Sequence, residues 1–150
     1  MKFIKAEWNH EWRGFWVDPN GYLAELPKLA NDLPEGARTF ASDPDHYNFA
    51  SPRCIKDLKL IGTSLATDGD TDFEIRFGPN EWKHESGLII RYARVSELHL
   101  VVNESGGNVE SLGTVLLDEI LPANGRCRHE IVFTGGLISI SCTDLNADWE

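Results

Sequence analysis

Asp118, His129 and Cys142 are the residue types that a thiol nucleophile, its base and the carboxylate orienting that base require. They lie in one stretch, LLDEILPANGRCRHEIVFTGGLISISCTDL, from Leu116 to Leu145. Side chains alternate along a strand, so a two-residue turn at Gly135-Gly136 would set Phe133 opposite Ile138 and Ile131 opposite Ile140. It would also set His129 opposite Cys142, and Cys127 opposite Asp144. A four-residue loop, Pro122–Gly125, would place Asp118 opposite His129. Carboxylate, imidazole and thiol would then form a row across three strands. The same face carries Ile131, Phe133, Ile138 and Ile140, so it points toward a core. There Cys142 serves as a small hydrophobe, and Asp118 and His129 satisfy each other. This structural reading is the expectation, with no catalytic residue assigned; an enzyme built on Asp118, His129 and Cys142 is the alternative.

The other chemical patterns are weaker. Cys127, His129, Cys142 and Asp144 are ligand types that suit zinc, but they lack the closely spaced pairs at both ends that structural zinc sites show. Asp68, Asp70, Asp72 and Glu74 begin like an EF-hand loop. The glycine that the loop needs after its third Asp is Phe73, and its closing Glu position holds Pro79. A solvated acidic hairpin tip is expected there. Gly62-Thr63-Ser64-Leu65-Ala66 has strands on both flanks, where a nucleophile elbow needs a strand followed by a helix. There is no P-loop, and His84-Glu85 lacks the second histidine of a zinc-protease helix. No metal and no cofactor are expected.

The elements that must position these residues are mostly strands. The first segment, KFIKAEWNHEWRGFWVDPNG, is aromatic-rich and leans toward a short hairpin ending at Pro19-Asn20-Gly21. Its Trp8, Trp12 and Trp16 are read first as core anchors and next as a protein-contact surface. Tyr22 to Pro34 has leucines at helical spacing, with Pro27 predicting a short or kinked helix. Residues 34–53 carry three prolines among small polar residues and read as a long loop with one short helical turn. From Ile55 onward the pattern becomes apolar alternation. Phe73, Ile75 and Phe77 share a face, and Leu88–Val95 and Leu98–Val102 add two apolar stretches. Asn124-Gly125 and Gly135-Gly136 punctuate the last strands as hairpin signals. The expected fold is α+β: mainly an antiparallel meander, either open or half-closed into a barrel, with one or two short N-terminal helices in a single domain, 1–150.

A chain of 150 residues with 41% hydrophobic residues can bury a core without disulfides or metals. The N-terminus has no secretory pattern, and no apolar run approaches the roughly 20 residues of a membrane span. Three cysteines without a C-x-x-C pair suit a reducing compartment, so the cytoplasm is expected. The net charge of −10, with no basic stripe, argues against nucleic acid as a partner, since that binding rests on Lys and Arg neutralising phosphates.

Three pieces of the C-terminal third carry a resemblance: Leu117-Asp118-Glu119-Ile120, Arg128-His129-Glu130-Ile131-Val132-Phe133, and a closing strand ending in Asp144-Leu145 after a glycine turn. Over about the last 35 residues the chain resembles small bacterial domains of unknown function. Some of these are similar to immunity proteins of polymorphic-toxin systems. The resemblance implies an acidic cytosolic inhibitor of a cognate toxin and supplies no catalytic residues. With it, the expected function is non-enzymatic binding of a basic protein partner, such as a nuclease toxin, by steric blockade. No membrane partner is expected, and a small-ligand-binding β domain is a further alternative. The expected contact residues are Asp43, Asp45 and His46 on the long loop, Asp68, Asp70 and Asp72 on the hairpin tip, and Trp82 as an aromatic anchor.

Overall fold

The computed structural model describes residues 1–66 and 69–150. It is mostly antiparallel β with two short helices, as the sequence predicts, and its sheets do not close into a barrel. An N-terminal hairpin pairs β1 (Lys5–Asn9) with β2 (Gly14–Asp18). Helices α1 (Asn20–Leu29) and α2 (Glu35–Ala41) follow. After an irregular segment come β3 (Lys59–Leu65), β4 (Thr71–Gly78), β5 (Leu88–Ala93) and β6 (Glu97–Val102). A 3₁₀ turn at Val109–Leu112 then leads into β7 (Val115–Ala123), β8 (Arg126–Phe133), β9 (Gly136–Cys142) and β10 (Asp144–Trp149).

Two four-stranded sheets form the body, in the orders β10-β5-β4-β3 and β6-β9-β8-β7. They share one long ribbon. β5 runs on into β6 and β9 into β10, and the pairing continues through the bend by Ser96 N–H to Ser141 O and Thr143 N–H to Ala93 O, both at 2.9 Å. Between the sheets lie Phe73, Ile75 and Phe77 of β4, Leu88, Ile90 and Tyr92 of β5, and Ile131, Phe133, Ile138 and Ile140 of β8 and β9. The alternation of TDFEIRFG is thus that of a half-buried strand.

Both short helices are present, with details the sequence left open. Pro27 sits inside α1 without breaking it, in the helix's last turn, three residues before the C-cap Ala30. Tyr22 is the buried residue of α1, and Leu23 is exposed. The expected loop at 34–53 opens with a two-turn helix whose Ala37, Phe40 and Ala41 are buried at helical spacing. The N-terminus of α2 is closed from another part of the chain: Asp144 accepts the N–H groups of Gly36 and Ala37 at 3.0 and 2.9 Å. That gives Asp144 a capping role. Among the described residues, no group of three His, Cys, Asp or Glu side chains is arranged to hold a metal ion.

Candidate functional site

The polar centre of the molecule is built around Asp118. The β7–β8 register aims it inward. Asn124 and Gly125, at φ 51° and 78°, make a two-residue turn that pairs Ala123 with Arg126 and sets that register without a break as far as Leu117. Asp118 and Ile120 therefore share a face with His129 and Ile131, and Glu119 shares the other face with Glu130. A bulge between Val115 and Leu117 shifts the phase of β7 only beyond that stretch and pairs Val115 with Phe133. On the outer face Glu119 is also covered, because its carboxylate accepts the backbone N–H groups of Lys2, Phe3 and Ile4 at 2.6, 2.6 and 2.9 Å.

Asp118 is 0% exposed and lies between two imidazoles. His46 Nε2 donates to Oδ1 at 2.7 Å, and His129 Nε2 donates to Oδ2 at 2.8 Å. Beyond His129, the Tyr92 hydroxyl lies 2.9 Å from Nδ1. Among the described residues that hydroxyl makes no other hydrogen bond, so its hydrogen is satisfied by donation to Nδ1, which fixes the His129 tautomer. Beyond His46, Nδ1 lies 2.9 Å from the Phe40 carbonyl. The His46 ring stacks on Tyr47, with centroids 4.2 Å apart, and Tyr47 O–H donates to the Asp118 carbonyl at 3.2 Å. Tyr22 O–H donates to the next inward carbonyl, that of Ile120, at 2.7 Å. Every member is partnered, which is the condition for burying so many polar atoms.

The electrostatics follow from this geometry. Burial alone would raise the Asp118 pKa. The His46 charge and the hydrogen bonds from both imidazoles outweigh it, and the carboxyl is held well below the usual range. Burial alone would lower the His46 pKa; the Asp118 charge and hydrogen bond, with the Phe40 carbonyl, bring it above 6.5 instead. The neighbouring phenols of Tyr92 and Tyr47 are pushed far up by burial, and then by nearby negative charge.

The sequence brings Asp118 and His129 together by a different route from the one observed. His129 pairs with Ile120 and Ile140, so its contact with Asp118 is a diagonal one, within reach of a long side chain. Cys142 is not in the row. The turn residues are Thr134 and Gly135, which slides β9 by two positions and pairs Cys142 with Cys127. The two thiols are 3.6 Å apart and buried. The Cys127 contact and burial push the Cys142 thiol far up, opposite to what a nucleophile needs. Gly135 and Gly136 were read for their turn angles, but their role is close approach: a Cβ there would strike the backbone oxygens of Ser111 and Val101.

The expected contact residues divide sharply. His46 is buried and belongs to the network, so it is no surface contact. Asp43 is half-buried and pairs with Arg53 at 3.2 Å, and Asp45 is half-buried beside it. Asp72 points back into the fold and accepts the Val95 N–H. Asp70 is exposed on the tip, 3.5 Å from Arg94, and Asp68 lies outside the described residues. Trp82 is 95% exposed. The tryptophans read first as core are outside it: Trp8, Trp12 and Trp16 are 47, 60 and 42% exposed. On the hairpin, Trp8 pairs with Phe15 and Ala6 with Val17 on one face, while Trp16 stands on the other and Trp12 at the tip.

Sequence reasoning missed His46 as a partner of Asp118 and Tyr92 as a partner of His129. One signal was available. An aspartate in the apolar run LLDEIL must find donors if it faces inward, and one histidine leaves half its carboxylate unmet. A cleft of about 480 Å³ opens between α2 and β10, lined in part by Glu35, Asp43, Arg53, Asp148 and Trp149. None of the Asp118 network except Phe40 borders it.

No protein-family model matches the chain, and no curated protein does. Among solved structures, the chain is similar to the crystal structure of an uncharacterized protein from Neisseria gonorrhoeae. The two are 15% identical, over 62% of this chain and 91% of that one, with a TM-score of 0.49. No helix among the described residues is long and apolar enough to cross a membrane.

Proposed function

We propose that this chain is a non-enzymatic binding domain that occludes a basic protein partner, in the manner of an immunity protein against its toxin. The observation that carries the reading is where the tryptophans lie. Three of the five in the chain stand 42–60% exposed on one small hairpin, and a fourth, Trp82, is almost fully exposed. Tryptophan is costly to leave in water and is the residue type most enriched among interface hot spots. The net charge of −10 adds a long-range term that speeds encounter with a basic surface. The groups whose types suggest catalysis support the same reading from the other side. Asp118, His129 and Cys142 are 0% exposed, so no substrate atom can reach them without opening the core.

The test is capture of a partner by the tagged chain at low and moderate salt, repeated with a Trp12→Ala/Trp16→Ala variant. The expected result is one stoichiometric basic protein whose retention falls with salt. Its affinity should drop at least tenfold in the variant, the scale of one hot-spot residue. A partner held equally well by the variant would move the interface away from the hairpin. Absence of any basic partner, together with native-state alkylation of Cys142, would overturn the reading in favour of the enzyme.

A further inference from the structure

The hydrogen bonds of His46 leave its protons little choice. Nδ1 faces the Phe40 carbonyl at 2.9 Å, and a carbonyl only accepts, so Nδ1 carries a hydrogen. Nε2 faces Asp118 Oδ1 at 2.7 Å, and one more proton must lie between those two atoms. It sits either on the imidazole, making an ion pair, or on the carboxyl, making a neutral pair. Asp118 also receives the Nε2–H of His129 on its other oxygen. Two donors on one carboxylate favour its ionised form. An unperturbed carboxyl is also the stronger acid of the two by more than two pH units.

The pair has a mechanical position as well. Between Ser42 and Ala50 only His46 and Tyr47 are buried, and the polar bonds of both side chains to the sheets end on Asp118. The second half of the same segment is joined to the first by the Ile55 N–H bond to the His46 carbonyl at 3.4 Å and the Arg53–Asp43 pair, but it has anchors of its own. There Cys54, Ile55 and Leu58 are buried, His84 Nε2 bonds the Cys54 carbonyl at 2.8 Å, and Asp57 and Leu58 exchange backbone hydrogen bonds with Val115.

We propose that His46 is an imidazolium paired with Asp118, and that its extra proton is the latch holding residues 43–50 against β7. When that proton leaves, one of the two donors on a buried carboxylate is gone, or the Phe40 carbonyl loses its partner. The segment then lifts while residues 54–58 stay docked. Each element around the ring contributes to this balance. Asp118 and, turned to the other face, Glu119 stand on β7; His129 is on β8 and Tyr92 on β5. Tyr22 is on α1, the Phe40 carbonyl on α2, and Asp43 and Tyr47 on the segment itself. The two charges nearest the ring, Asp118 and Asp43, are both negative and both favour the imidazolium. This latch is independent of the binding reading, since it concerns the folded chain alone.

The experiment is side-chain nitrogen NMR of the histidines in the full chain, with amide hydrogen exchange across an alkaline titration. Near neutral pH, both His46 nitrogens should show the protonated signature, and His129 should show a hydrogen on Nε2 only. As pH rises, protection of the amides in 43–50 should fall at least tenfold relative to 54–58, at the midpoint where His46 loses its proton. A His46 with one protonated nitrogen near neutral pH would overturn the ion pair. Opening of 43–50 at a pH where His46 does not titrate would overturn the latch. His46→Gln should show the open segment at every pH, and the wild-type titration decides the matter even where this variant fails to fold.

Discussion

Around Asp118, a carboxylate, two imidazoles and three phenols are packed where water does not reach. On the β1–β2 hairpin, Trp8, Trp12 and Trp16 stand in water. By type, the first group belongs at a surface and the second in a core. The cluster survives burial because each polar atom has a partner, so the cost of removing it from water is met by fixed hydrogen bonds. The hairpin has no comparable compensation. Val17 packs on the core, but the face continues outward through Phe15 to Trp8, which is 47% exposed, with Trp12 60% exposed at the tip. Hydrophobic area left open in this way marks a place where another surface belongs.

The largest test of the contrast removes the centre of the cluster. Asp118→Ala leaves two imidazoles without their acceptor and an imidazolium buried without its counter-ion. The expected loss is about 3–5 kcal/mol in chemical denaturation. Asp118→Asn keeps an acceptor for one ring and should cost about 1–3 kcal/mol. Equal losses from the two variants would mean that the charge carries the whole contribution and the remaining acceptor none, whereas an Asn variant as stable as wild type would mean that the charge contributes nothing.

A smaller effect is expected from pH. His46 has its pKa raised from 6.5, so its stabilising contribution is complete below that value and fades as pH rises through the raised one. Asp118 has its pKa lowered from 3.8, so its contribution is complete above that value and is lost as pH falls through the depressed one. The pair therefore stabilises the fold most between pH 3.8 and 6.5. The urea midpoint should decline on the alkaline side of that window, and His46→Gln should remove the alkaline decline. A midpoint that is flat from pH 6 to about pH 9 would contradict the buried ion pair.

The smallest effect belongs to the hairpin. Trp12→Ala, at a tip 60% exposed, should change stability by no more than about 0.5 kcal/mol. A loss several times larger would mean that the ring supports the fold and would remove it from the list of contact anchors. Stability unchanged and binding lost is the combination that sharpens the contrast most.

Much of the fold is legible locally. Asn124-Gly125 specifies its turn because both residues accept positive φ, and TDFEIRFG specifies a half-buried strand because its apolar residues recur with period two. α2 was also readable from Ala37, Phe40 and Ala41, and was obscured by the prolines around it. Within the site, the pairing of Asp118 with His129 could be anticipated, while Cys142 was misplaced by two residues of register. That slip keeps the same face, so alternation alone cannot detect it.

The sequence by itself determined the antiparallel class, the strands, the Asn-Gly turn and the acidic balance. These follow from the period of the side chains, from residues that accept unusual dihedrals, and from counting charges. Only the tertiary structure decided what faces what. A bulge near Leu116 turns Val115 to the face of Phe133, Ser111 and Val101 press on Gly135 and Gly136, and His46 arrives at Asp118 from 72 residues away. Whether a histidine is buried or a tryptophan exposed depends on which other segment covers it. That is a property of the packed whole, because burial is measured against neighbours distant in the chain.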